Sequence, residues 1–275
     1  GNLTYFPWDD PDANRVLLFD LAAERPGPEG MPLRYLTLER PAPEMPLYFT
    51  YAADREELIV TVLAYDGGHI DVIDLSKWPE SAAVVRSTPI DFAPSRAFYV
   101  EEHDALLVLG LYGIYVVFDY DTMEVQRRAP VDPALELVTL GGRIVPDRTE
   151  VLVAAMGFDL YKVNWKTGES EVVNVEFAMG DMIVEPYVLT AWEGDFAWQA
   201  INVVDVTTMT LLDRVEVGYP PRGFDVDRDR DLLVVGEWFD GKVHTYSAAT
   251  MEPRMSPLPI SPYIRTVVLD PTTGD

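Results

Sequence analysis

The chain has 275 residues, 48% hydrophobic and 24% charged, with 46 acidic side chains against 21 Lys and Arg and a formal net charge of -25. That composition supports a sizeable core and excludes a disordered chain; the acidity argues against nucleic acid and anionic membrane as partners, since both are held by clustered Lys and Arg. The absence of cysteine excludes disulfides and thiolate chemistry, and no run of about 18 apolar residues is present to cross a membrane as a helix.

Taken in order, the chain opens partway through a repeating module. Residues 3–8 read as a second strand and 15–20 as a third. A Pro/Gly-rich insertion, AAERPGPEGM, comes next at 22–31, and then a fourth strand at 32–39. First strands begin near Tyr48, Arg96, Gly142, Gly180 and Arg222. The matching fourth strands read at 82–90, 125–131, 171–177, 211–217 and 254–260. Every third strand ends in a short polar residue: Asp20, Asp74, Asp119, Asn164, Asp205 and Ser247. These recur at about 43 residues, a period that marks a repeat architecture. Such a side chain accepts backbone N–H groups two or three residues on and closes the turn into the next strand.

The last module is the clearest. An alternating strand at 222–226 leads into the polar turn 227–231, an apolar strand at 232–238, an Asp240-Gly241 turn and a strand at 242–246. Period-2 alternation broken by Asp and Gly punctuation is the pattern of an antiparallel meander. A four-stranded unit of about 40–45 residues is a propeller blade. The expected fold is therefore all-β: a single β-propeller over 1–275 with six four-stranded blades. Blades two to six fall near 46–90, 94–131, 136–178, 180–218 and 221–260. Blade one is shared between 1–40 and an orphan first strand at 264–275, which closes the ring and protects its edge.

The stretch PRGFDVDRDRDLLVVGEWFDGKVHTYSAATME, from Pro221, resembles a YVTN-type β-propeller repeat. In those repeats a Pro-led strand, a polar turn, an LYV-like strand and a V-x-V-I-D strand recur. VIDLSKWPE and NVVDVTTMT carry the same last element. The resemblance covers nearly the whole chain without a literal YVTN tetrad. It implies a propeller related to surface-layer-type, quinoprotein-like and lactonase-like folds, and it implies no particular activity. The Gly-His…Trp-Asp signature of WD40 repeats is absent at repeat spacing.

Propeller ligands meet the rim formed by the loop entering the first strand and the loop leaving the second. Two sets of residues fall there. Second strands end in Trp8, Tyr65, Tyr112, Phe158, Trp192 and Trp238. These aromatics either stack on a ligand or pack on the proline of a neighbouring loop. Arg96, Arg222 and Arg265 align at one position of their modules, with Tyr48 in the same place in the second. They either converge on a carboxylate or phosphate or pair with local acids such as Glu101, Asp225 and Asp227.

Catalytic constellations are thin. His103 lies in a polar turn and His244 in mid-strand, while His69 sits beside Gly67-Gly68 near the rim. The run DVDRDRD lacks the Gly of a calcium loop and reads as a hairpin turn. No catalytic residue, metal or cofactor is assigned. The reading is a non-catalytic binding propeller, expected as a monomer, that presents an aromatic and Arg rim to a protein or small anionic ligand. A lactonase-like or other hydrolase in the channel mouth is the alternative. If Gly1 marks a trimmed leader, export from a bacterial cell is favoured over the cytoplasm.

Overall fold

The computed structural model describes residues 15–19, 33–37, 44–64, 66–78, 81–133, 138–155, 159–175, 178–184, 190–195, 200–217, 219, 221–237, 239–260, 264, 267 and 269. The chain divides into two compact units, Gly1–Ala129 and Pro130–Asp275. No helix among the described residues is long and apolar enough to cross a membrane.

In the first unit, β1 (Arg15–Phe19) and β2 (Leu33–Thr37) form a two-stranded antiparallel sheet. Next comes a four-stranded meander: β3 (Met45–Ala52), β4 (Glu57–Ala64), β5 (Gly67–Asp74) and β6 (Ala83–Ile90). A second meander contains β7 (Pro94–Val100), β8 (Ala105–Gly110), β9 (Ile114–Asp119) and β10 (Val125–Pro130). The middle strands of both meanders are largely buried on both faces, and the buried set includes Thr61 of β4 and Asp71 of β5 beside the apolar residues. In β4, Ile59 joins a core with Ile70, Val72, Ala97, Leu106, Val108, Val116 and Phe118. Its neighbours Val60 and Val62 point the other way, toward Ile73. One sheet thus uses its period-2 alternation to fill two layers.

The second unit has three such meanders. They are β11 (Thr139–Ile144) to β14 (Ser170–Asn174), β15 (Ala178–Val184) to β18 (Thr210–Glu216), and β19 (Pro221–Asp227) to β22 (Leu258–Pro259). Within them, β12 is Glu150–Ala155, β13 Asp159–Asn164, β16 Thr190–Asp195, β17 Ala200–Asp205, β20 Leu232–Glu237 and β21 Lys242–Tyr246. Leu152, Ala154 and Leu160 of one sheet pack with Val204, Val206 and Met209 of the next. Ile201 and Val203 then pack with Phe224, Leu233 and Val235. Polar staples join the same layers. The buried Lys162 donates to the Val206 carbonyl at 2.9 Å and lies 3.2 Å from Glu171. The buried Asn202 donates to the Val175 carbonyl at 3.0 Å.

Asp20 lies outside the described residues; the other polar residues that end the third strands act as their spacing predicts. Asp74 accepts from the Ser76 N–H at 2.8 Å, Asp119 from Thr122 at 2.9 Å and Asp205 from Thr207 and Thr208 at 2.8 and 2.9 Å. Asn164 accepts from Lys166 and Thr167, and the Ser247 hydroxyl from Thr250. These bonds hold Asp74, Asp119 and Asp205 below the usual carboxylate range. Four of these turns then carry a left-handed residue before the fourth strand. Gly168 supplies it at φ 85°, but Met123, Met209 and Met251 take the same place at φ 56°, 49° and 59°. A methionine there is strained, and burial of its side chain offsets the cost: Met123 and Met209 are both in the core.

One expectation changes. The fourth strand expected at 254–260 shrinks to β22 and a bridge between Tyr246 and Pro253. Pro253, Pro257 and Pro259 have no N–H to give to a ladder. Ring closure by 264–275 lies largely outside the described residues. Ile264, Val267 and Leu269 are in no strand, and the Leu269 N–H goes to the Asp225 carboxylate at 2.8 Å.

Candidate functional site

Each four-stranded meander has two ends. One carries the turns from first to second and from third to fourth strand. The other carries the turn from second to third strand and the connections to and from neighbouring sheets, and there the rim is expected.

Every first strand carries a register shift near its start: Pro46/Tyr48, Pro94/Arg96, Thr139/Gly141, Ala178/Met182 and Pro221/Phe224. Bulges re-aim side chains and terminate pairing at such rims. The bulge in β7 brings the Arg96 guanidinium over the Tyr48 ring at 4.7 Å, so the aligned Arg and Tyr meet each other. Gly68 permits the close approach of the two sheets there, since a Cβ would fall 2.5 Å from the Pro94 ring. Tyr112 stands on the turn after β8 and is 72% exposed. Phe239, on the turn after β20, is 56% exposed. Trp192 is no strand end: β16 continues through Glu193, Gly194 and Asp195, which pair with Asn202, Ile201 and Ala200. Trp8, Tyr65, Phe158, Trp238 and Arg265 lie outside the described residues, as do the side chains of Arg222 and Trp192.

The same end of the last sheet holds a cluster that sequence reading missed. Glu237 ends β20 and is only 8% exposed. Its Oε2 lies 3.1 Å from His244 Nε2 and 3.8 Å from Lys242 Nζ. The His244 ring stacks on Tyr219, with centroids 3.9 Å apart and planes 23° from parallel. The Tyr219 and Tyr246 hydroxyls share a hydrogen bond of 2.9 Å. Burial pushes both phenols up, and at Tyr219 the bond to Tyr246 adds to it. His244 alternates correctly for a core position, so its histidine chemistry carried no signal. A parallel pair exists in the first unit, where His69 Nε2 lies 3.3 Å from Glu44 Oε1.

The opposite end of the first unit carries a dense polar network. Arg55 donates to the Tyr99 hydroxyl at 3.0 Å, to Asp121 at 2.8 Å and to Asp104. It also lies over the Tyr120 ring at 5.0 Å, with Arg86 over the same ring at 4.7 Å. The Tyr99 bond is the main cause of the raised Arg55 pKa. The fully buried Tyr120 donates to Glu57 at 2.7 Å. These contacts bind two adjacent sheets and leave the cation engaged, which makes the network structural. The DVDRDRD run is likewise a turn: Asp227 accepts from Arg230, and Asp231 from Ser247, Ala249 and Arg254. Among the described residues no group of three or more His, Asp or Glu is placed to hold a metal.

No family model matches the chain, and no curated protein matches it. Among solved structures the chain is similar to Sqt1 of Saccharomyces cerevisiae, at 13% identity and a TM-score of 0.67, over 88% of this chain and 68% of that one. It is also similar to a chain of the mitotic checkpoint complex, at 10% identity and a TM-score of 0.72, over 90% of this chain and 74% of that one. Both are WD40 β-propellers, and at such identities the likeness speaks for fold alone: this chain has the β-propeller fold without the WD40 signature in its sequence.

Proposed function

We propose that this propeller docks a protein partner on the turns between second and third strands, with Tyr112 as the anchor of the first unit and Phe239 as that of the second. The observation that carries the reading is Tyr112. It is 72% exposed, yet it comes just after β8, whose six residues are all buried. A rigid sheet therefore holds a large amphipathic ring out in water, the arrangement of an interface anchor. The fold supports the reading, and one of the similar chains belongs to an assembly by its own name. The net charge of -25 favours a basic partner and speeds its encounter. Arg96 over Tyr48 adds a planar donor at the same end of the first unit, suited to a carboxylate on that partner. Six blades, with 264–275 completing the first, belong to the same proposal.

The test is a photo-crosslinking residue at position 112, with Gln126 on the exposed outer strand β10 as control. A discrete adduct from 112 and none from 126 supports the rim. Equal labelling at both positions overturns it. A hydrolase acting at the rim is the second reading, favoured by the His244–Glu237 pair.

A further inference from the structure

The His244–Glu237 pair goes beyond docking, and its chemistry rests on the hydrolase reading alone. A carboxylate only accepts hydrogen bonds, so in the neutral ring the contact at 3.1 Å puts the proton of His244 on Nε2. Nδ1 then keeps its lone pair, and among the described residues no hydrogen-bond partner engages it. The ring cannot swing away. Tyr219 stacks on it at 3.9 Å, and Tyr246 lies 6.5 Å off, only 9° from parallel. Tyr219 is itself tied to Tyr246 through their hydroxyls. The side chain keeps 15% of its surface, at the sheet end that also bears the exposed Phe239. A base or nucleophile fixed by a carboxylate partner is the common logic of activated side chains.

We propose that His244 is a nucleophilic imidazole that takes the acyl group of esters with an apolar body, and that Glu237 is its positioning residue. Nδ1 attacks the carbonyl carbon, forming a C–N bond as the C–O bond to the leaving group breaks. The leaving group departs with that electron pair as an alkoxide or phenolate. The N-acylimidazolium that remains is positive and is met by the Glu237 carboxylate. Water then attacks the same carbon, the C–N bond breaks, and the carboxylic acid leaves. The proton left on the ring passes to the leaving group, which restores neutral His244. Phe239 offers the apolar contact for the substrate body.

Diethyl pyrocarbonate and p-nitrophenyl acetate are the probes, used on the full chain. Peptide mass spectrometry reads the acylation rate of His244 against His103, an exposed turn residue that serves as internal reference. The expectation is that His244 reacts about tenfold faster despite its lower exposure, the gain of an oriented, charge-assisted ring. Glu237→Gln keeps a hydrogen-bond acceptor but removes the charge, and should slow acylation by about tenfold at an unchanged melting temperature. Glu237→Asp should restore part of the rate. p-Nitrophenol release should run to many equivalents and fall to the buffer rate in His244→Asn. The inference is overturned if His244 reacts no faster than His103, if Glu237→Gln reacts as fast as wild type, or if release stops at one equivalent. Turnover that survives in His244→Asn leaves the hydrolase reading standing and removes this one.

Discussion

Replacing Tyr120 by Phe removes one oxygen from the core of the first unit and nothing else. Tyr120 is fully buried, its ring lies 4.7 Å from that of Tyr99, and its hydroxyl donates to Glu57 at 2.7 Å. The ring contacts survive the substitution, so no cavity term of consequence enters. What is lost is a hydrogen bond to a charged group, worth about 1.5–3 kcal/mol. Glu57 is only half-buried and regains some water, which places the cost near the lower end, at about 1.5 kcal/mol. For a chain of this size that lowers the melting temperature by about 3–6 °C. The sign with pH is also fixed. Burial, followed by the Glu57 bond, raises the Tyr120 pKa in the folded state. Its stabilisation is therefore fully present below the unfolded value of about 10 and is lost as pH rises above it. The gap between wild type and Tyr120→Phe should hold steady from neutral pH to about 9 and shift in alkali. Thermal melts at stepped pH measure this, and a double-mutant cycle with Glu57→Gln isolates the pair. An unchanged melting temperature, or zero coupling in the cycle, refutes the idea that this bond joins the two sheets.

Three further outcomes are expected from the same geometry. Met209→Gly relieves a left-handed residue worth about 1–2 kcal/mol but deletes a buried side chain worth about 2–5 kcal/mol, so urea melts should show net destabilisation; a stabilised variant would mean that strain dominates. Deleting residues 264–275 removes the Leu269 N–H from Asp225 and should lower the melting temperature and promote association; a monomer with an unchanged melt contradicts a role for that segment in closing the first blade. With 46 acidic residues against 21 Lys and Arg, raising NaCl from very low to about 0.1 M should raise stability by screening to a Debye length of about 10 Å, and a flat response would mean that the charges are already well dispersed.

Local chemistry was legible in the sequence, and long-range chemistry was not. Alternation located the strands, and the polar third-strand ends located their turns, because both depend on residues within a few positions of each other. The shortening of β22 was missed although its cause is local, since Pro253, Pro257 and Pro259 each lack a ladder donor. Met123 and Met209 hid their left-handed backbone because their burial, which offsets the strain, is a tertiary fact. Arg55 stood in a short polar turn with nothing to show that Tyr99, Asp104 and Asp121 would come to it from 44 to 66 residues away. His244 stood in mid-strand, where its alternation fits a core face; its carboxylate partner lies on the neighbouring strand and its stacking partner in the loop before β19. Of the aligned positions, Arg96 and Tyr48 hold the same place in their registers, opposite Leu109 and Thr61, and in the first unit Arg96 stacks on Tyr48; Arg222 instead falls inside the bulge between Pro221 and Phe224.

The most direct test of the docking rim is the affinity of the purified partner identified through position 112. Wild type, Tyr112→Ser and Gln126→Ser should be compared by titration calorimetry. An exposed anchor of this kind contributes about 2 kcal/mol or more, so Tyr112→Ser should weaken binding by about thirtyfold while Gln126→Ser leaves it unchanged. Equal affinity for all three proteins would contradict the rim as the binding surface.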